Sequence, residues 1–197
     1  AKKALTTGDW PAMTPTQRGH MLRKLGDVLA ANAERLGKLE VQDNGKLIAE
    51  MGLQTQYSAQ WYYYFGGLAD KIEGSILPID EPDTFTYTRS EPLGVVGMIT
   101  PWNSPILLLT WKLAVALAAG NTVVVKPSEF TSASTLAFAD LVAEAGFPKG
   151  VFNVITGYGA EAGEALVTHP DVAKIAFTGG SKSGTHVYER AAAGLKK

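Results

Sequence analysis

The sequence predicts a doubly wound α/β protein, with a helical segment first and a projecting β-hairpin arm between that segment and the sheet. From Gly94 onward, short valine- and isoleucine-rich runs alternate with stretches of helical spacing, the pattern of a parallel sheet covered on both faces. Before that point apolar residues recur at helical spacing, and a turn-rich stretch of alternating character separates the two regimes. Hydrophobic residues form 46% and charged residues 19% of the 197, against roughly 25% charged in an average domain, so the chain can bury a sizeable core.

The elements follow in order. Thr14-Pro15-Thr16-Gln17 has the form of a capping box, with Pro15 at the first helical position and Gln17 reaching back. Met21, Leu22, Leu25, Val28, Leu29, Leu36 and Leu39 then recur at helical spacing until the Asn44-Gly45 turn. A second helix is expected over 53–71, where Trp61, Tyr62, Tyr63, Tyr64 and Phe65 read as core packing. Ile76, Leu77 and Ile79 precede an Asp-Glu-Pro-Asp turn, and 85–89 alternates as a strand; such an arm is marginal alone in water, so it leans on something, such as a second subunit. Strands are expected at 95–100, 122–126, 151–156 and 173–178, and helices at 106–119, 132–145, 160–169 and 181–195. This divides the chain into helices over 1–73, the arm over 74–93 and βα units over 94–197.

Charge and composition exclude several functions. With 18 Lys+Arg against 19 Asp+Glu the net charge is −1, so no basic field marks a nucleic-acid partner. Ala1 to Trp10 lacks the apolar core of a secretory signal, and the apolar run 106–119 is too short to span a bilayer and carries Lys112, so a soluble, cytoplasmic protein with no membrane partner is expected. The absence of cysteine excludes a disulfide scaffold, a thiolate metal site and a cysteine nucleophile within these residues. His20, His169 and His186 have no ligand-like spacing; each reads as a helix-surface or capping residue, and no metal site is expected.

In doubly wound sheets ligands sit outside the carboxyl ends of the strands, so the chemistry is sought there. After the first strand, two prolines bracket Asn103, whose amide either donates to a developing oxyanion or caps the next helix; spacing favours the cap. After the second, Lys126 and Glu129 either hold vicinal hydroxyls or form an ordinary surface ion pair. After the third, the run Gly157 to Gly163 is one residue too long for a dinucleotide fingerprint, and its glycines serve close helix–sheet approach. After the fourth, Gly179, Gly180 and Gly184 open a helix whose free N–H groups suit an anion, although neither a P-loop nor a nucleophile elbow is matched.

Taken together, Glu91-Pro92-Leu93-Gly94-Val95-Val96-Gly97, Thr100-Pro101-Trp102-Asn103, Val124-Val125-Lys126-Pro127-Ser128-Glu129, Ala145-Gly146-Phe147-Pro148 with Gly150-Val151-Phe152-Asn153, and Phe177-Thr178-Gly179-Gly180-Ser181 resemble the NAD(P)-dependent aldehyde dehydrogenase superfamily. The resemblance runs through the whole chain, including Asp43-Asn44-Gly45-Lys46, and implies a Rossmann-like coenzyme domain. It implies that Asn103 is the side-chain half of an oxyanion hole and that Lys112 serves proton relay. Lys126, Ser128 and Glu129 would meet the adenosine ribose, Gly179, Gly180 and Gly184 the pyrophosphate, and Gly159 and Gly163 the adenosine end. Ile99, Thr100, Pro101, Trp102 and Phe177 would line the cleft, and Leu107 and Trp111 would lie near the aldehyde channel. Position 180 is Gly where many relatives carry Ser, which removes one hydroxyl donor to the pyrophosphate. A carboxylate at Glu129 favours NAD, with NADP the second option. The arm around 76–90 would join copies into a homo-oligomer.

The family's chemistry also needs a cysteine thiolate and a general-base glutamate. The chain contains no cysteine, begins within what resembles the family's first long helix, and ends before its Glu-Leu-Gly-Gly segment. The expectation is therefore the coenzyme-binding portion of an aldehyde dehydrogenase, well under half of a family member and inactive alone. The alternative is a non-catalytic nucleotide-binding or assembly module.

Overall fold

The structure, a computed structural model, describes residues 1–197. Two short helices, α1 (Lys2–Thr6) and α2 (Asp9–Ala12), open the chain. The capping box then forms as read: Gln17 N donates to Thr14 Oγ1 at 3.3 Å and Thr14 N donates to Gln17 Oε1 at 2.8 Å. The helix it starts, α3 (Pro15–Ala31), stops sooner than the apolar spacing implies. Asn32 takes over the Val28 carbonyl with its side chain at 2.9 Å and its backbone leaves helical geometry, so α4 (Ala33–Asn44) is a separate helix. Gly45 ends α4 in the left-handed region (φ 71°), a conformation that the Asn-Gly turn supplies at little cost.

Helix α5 (Ile48–Leu68) begins before the expected Leu53 and lies against α3 at unusually close range. A Cβ on Gly19 would sit 2.4 Å from the Gly66 carbonyl oxygen, and one on Gly26 would sit 2.7 Å from the Tyr63 ring. Of the aromatic run, Tyr62 is fully buried and stacks on Phe138 at 6.2 Å. Tyr64 is exposed, so core packing describes only part of that run.

Strands β1 (Ile76–Leu77) and β2 (Thr86–Tyr87) pair antiparallel as an arm with exposed apolar residues, shorter than the alternation implied. The main sheet follows: β3 (Val95–Ile99), α6 (Pro105–Ala118), β4 (Thr122–Lys126), α7 (Ala133–Glu144), β5 (Phe152–Val154), α8 (Glu164–Thr168), β6 (Val172–Phe177) and α9 (Ser181–Ala193). These limits lie within two residues of expectation except at 160–169, where a π-helical turn (Gly159–Gly163) precedes a short α8. All four strands are parallel, in the order β5-β4-β3-β6.

Alternation along the central strands assigns the two faces. Val96, Met98, Val123 and Val125 point into the main core beneath α6, α7 and the N-terminal helices. Val95 packs with Leu166 and Val172 in a smaller cluster on the other face, where Leu5 and Val124 join it. Only Val172 of β6 is buried, because β6 stands at the sheet edge, where the Lys197 backbone and the Lys196 side chain bond to it. No helix is long and apolar enough to cross a membrane.

Candidate functional site

The chain leaves β3 to one side for β4 and β5, then returns to the other side for β6, so strand order reverses at β3. A crevice forms at the carboxyl ends of strands at such a point. The strand ends are tied together there: Thr100 N donates to the Lys126 carbonyl at 3.2 Å, and Thr178 N donates to the Ile99 carbonyl at 3.1 Å. The result is a cavity of about 660 Å³. Ile99, Thr100, Pro101 and Trp102 line it from β3, Lys126, Ser128 and Glu129 from β4, Gly159 and Gly163 from the π turn, and Phe177, Gly179 and Gly180 from β6.

Lys126 ends β4 and is 2% exposed. Its Nζ donates to the Pro127 carbonyl at 2.9 Å and to Glu129 Oε2 at 3.4 Å, which corrects the surface-ion-pair alternative. A Cβ on Gly163 would lie 3.6 Å from Lys126 Cδ, an ordinary contact, so the close approach read for this glycine does not require one. Ser128 Oγ accepts from Phe130 N at 3.3 Å, so this hydroxyl fixes the turn that aims Glu129.

Across the cleft, Gly180 occupies the N-cap of α9 and provides no side-chain bond, leaving the first N–H groups of a 13-residue helix unpaired by the protein. A Cβ on Gly179 would come within 2.5 Å of the Phe177 ring, whereas one on Gly180 would meet nothing within 4 Å. Gly184 does not line the cavity; it backs Phe177, with 3.4 Å from a built Cβ to that ring. Thr100 Oγ1, in the cavity wall, is buried and has no hydrogen-bond partner. An orphaned hydroxyl, a buried ammonium beside a carboxylate and an uncapped helix start suit a ligand carrying both hydroxyl and anionic groups.

Asn103 lies outside the cavity wall, exposed in a bend and without a hydrogen bond. It does not cap the following helix, contrary to the reading that spacing favours. Ser104 holds the N-cap of α6 without a side-chain bond, and the Ile106 N–H donates instead to Glu40 Oε1 at 2.7 Å. Lys112 is also outside the wall but touches it, donating to the Thr178 hydroxyl and to the Leu108 carbonyl. Burial lowers its pKa.

The chain matches the aldehyde dehydrogenase family over residues 1–197. It belongs to that family. A relative from Acinetobacter baylyi, (Z)-2-((N-methylformamido)methylene)-5-hydroxybutyrolactone dehydrogenase, is 49% identical over the whole chain, which covers 40% of that protein. The NAD+ complex of an aldehyde dehydrogenase from Bacillus cereus superposes with a TM-score of 0.96 at 42% identity, over all of this chain and 40% of that one. Betaine aldehyde dehydrogenase from Staphylococcus aureus, also in complex with NAD+, gives 0.96 at 39% identity, over all of this chain and 39% of that one. The chain thus spans about 40% of the length of the relatives it matches.

Sequence reasoning missed part of the cleft in this family member. Glu164, Lys182, Ser183 and His186 also line it. His186 Nε2 lies 2.9 Å from Glu164 Oε2, and Arg190 Nε donates to Glu164 Oε1 at 2.5 Å. The hydrogen bonds from His186 and then Arg190 hold the Glu164 carboxyl below its usual range. The helical spacing of His186 and Arg190 was visible, but their shared partner lies on α8, which no local pattern connects to α9. Glu40 was missed as well: burial pushes its carboxyl up to about 7, opposed by the bond from Ile106 and by Lys46.

Proposed function

We propose that this chain forms the coenzyme-binding part of an NAD-dependent aldehyde dehydrogenase that oxidises an aldehyde to a carboxylic acid. The observation that supports this most is the convergence of Trp102, Lys126, Glu129 and the open start of α9 on one cleft at the strand-order reversal. In this reading Lys126 donates to the adenosine ribose hydroxyls and Glu129 accepts from them, while the N–H groups after Gly180 face the pyrophosphate. Thr100 supplies a hydroxyl to the dinucleotide. Glu129 would repel a 2′-phosphate, so NAD is preferred to NADP. Held by these residues, NAD would supply the hydride acceptor for the reaction.

Asn103 donates its free amide to the carbonyl oxygen of the aldehyde, and Lys112, desolvated beside Thr178, moves a proton near the same end. Residues 76–90 join copies through the exposed arm, the helices of 1–73 and the βα units of 94–197 form one body, and the protein works in the cytoplasm. No cysteine is present in the 197 residues, so we infer that this polypeptide by itself does not oxidise aldehydes. A second reading is a non-catalytic nucleotide-binding module.

Titration calorimetry with NAD+ tests the reading. Lys126→Ala removes a charged donor to hydroxyls, and a bond of that type is worth about 1.5–3 kcal/mol, so affinity should fall at least about tenfold. Unchanged affinity would remove Lys126 from the site. Clear aldehyde turnover by the 197-residue polypeptide would overturn the inference of inactivity, and no NAD+ binding at all would overturn both readings.

A further inference from the structure

Asn103 is exposed and makes no hydrogen bond, so its placement depends on how the turn that carries it is held. Its chain neighbours are held by α4 and the loop after it, from 58 to 66 residues away in sequence. Asn44 Nδ2 donates to the Trp102 carbonyl at 3.2 Å, Lys46 Nζ donates to Ser104 Oγ at 3.3 Å, and Glu40 Oε1 accepts from Ile106 N at 2.7 Å. Asn44 Oδ1 in turn accepts from Lys46 N at 3.0 Å, and Lys46 Nζ also donates to Glu50 Oε1 at 2.8 Å, which fixes the loop itself. Alternate residues 102, 104 and 106 are therefore tied, on both sides of Asn103.

Local chemistry provides no substitute for the Glu40 bond. Pro105 has no N–H, the Ser104 side chain makes no capping bond, and the Ile106 N–H is the first donor of α6. Glu40 is 1% exposed and makes its hydrogen bond to α6, not to a cation. A carboxyl so placed costs desolvation that an apolar residue would not. We propose that Glu40 is a positioning residue, which with Asn44 and Lys46 clamps the Pro101–Pro105 turn so that Trp102 stays in the cleft wall and the Asn103 amide keeps one direction. The clamp stands on the geometry; its consequence for the substrate carbonyl rests on the function proposed for Asn103.

Amide hydrogen exchange on the protein, with NAD+ affinity measured beside it, tests the clamp. Glu40→Ala leaves the Ile106 N–H without its acceptor, and the loss of one such bond corresponds to about tenfold faster exchange at the start of α6. The expected result is that acceleration confined to residues 102–109, α3 and α9 unchanged, NAD+ binding weakened several-fold, and Glu40→Gln restoring both because its amide oxygen can still accept. Uniform acceleration through α3 to α6, or Glu40→Gln as impaired as Glu40→Ala, would overturn the proposal and leave Glu40 a packing residue. Should Glu40→Ala not fold, Asn44→Ala decides: faster exchange at residues 102–106 alone supports the clamp, and unchanged exchange there overturns it. If the unsubstituted protein binds no NAD+, the proposed function fails, while the exchange comparison still decides the clamp.

Discussion

Glu40 should also make the stability of this protein depend on pH. Its carboxyl, near 4.5 when free, is pushed up to about 7 by burial, with Asp43 adding to the rise and Lys46 opposing it. The folded state thus holds a proton that the unfolded chain releases between those values, and stability should fall as pH rises from about 4.5 to 7, then level off. At about 1.4 kcal/mol per unit the full effect is of the order of 3 kcal/mol. Exposed Glu34, Asp70 and Asp171 and half-buried Glu164 have lowered pKa values, so they act only below the usual carboxylate range and with opposite sign. Urea unfolding across pH 5–8 should show the fall in the unsubstituted protein and a nearly flat profile in Glu40→Gln; equal slopes would refute the assignment. None of this was legible in the sequence, where Glu40 sits as an ordinary helical glutamate. Lys126 and Glu129 were legible as a pair, but only the structure shows that Lys126 is buried and the pair is not a surface contact.

Among the elements, α3 and α5 depend most on side-chain absence. Gly19 and Gly66 face each other so closely that either Cβ would collide with the opposing backbone, at 2.4 Å and 2.8 Å. Backbone cannot rotate away as a side chain can, so Gly19→Ala must part the helices. Overpacking of this kind costs about 1–3 kcal/mol. At about 2–4 °C per kcal/mol for a chain of this size, thermal unfolding should move down by several degrees. Gly52→Ala, on α5 with no atom within 4 Å of the built Cβ, should be neutral or mildly stabilising. If both variants melt alike, the close approach carries no energetic weight. Helix and strand positions in the sheet region were legible because parallel strands buried on both faces are short, apolar and punctuated. The break at Asn32 was not, because a side chain competing for one carbonyl leaves the apolar period intact.

At the scale of the whole molecule, exposed Ile76, Leu77, Phe85 and Tyr87 lie on an arm of only two paired residues per strand, far below what stands alone in water. The protein should therefore associate through it. Sedimentation is expected to show a dimer or larger species, and Ile76→Asp with Tyr87→Asp should shift it toward monomer; a monomer at every concentration would refute the role given to the arm. The sequence by itself determined the class of fold, the order of its elements, the family resemblance and the strand ends around which the cleft forms, since all of these are written in spacing along the chain. Only the tertiary structure decided that Glu40 rather than Asn103 caps α6, that His186 and Glu164 share a cleft wall, and that Gly184 supports Phe177 without reaching the cavity. Each of those is a contact between distant segments, and periodicity reports which face of an element turns inward but not which residue meets it there.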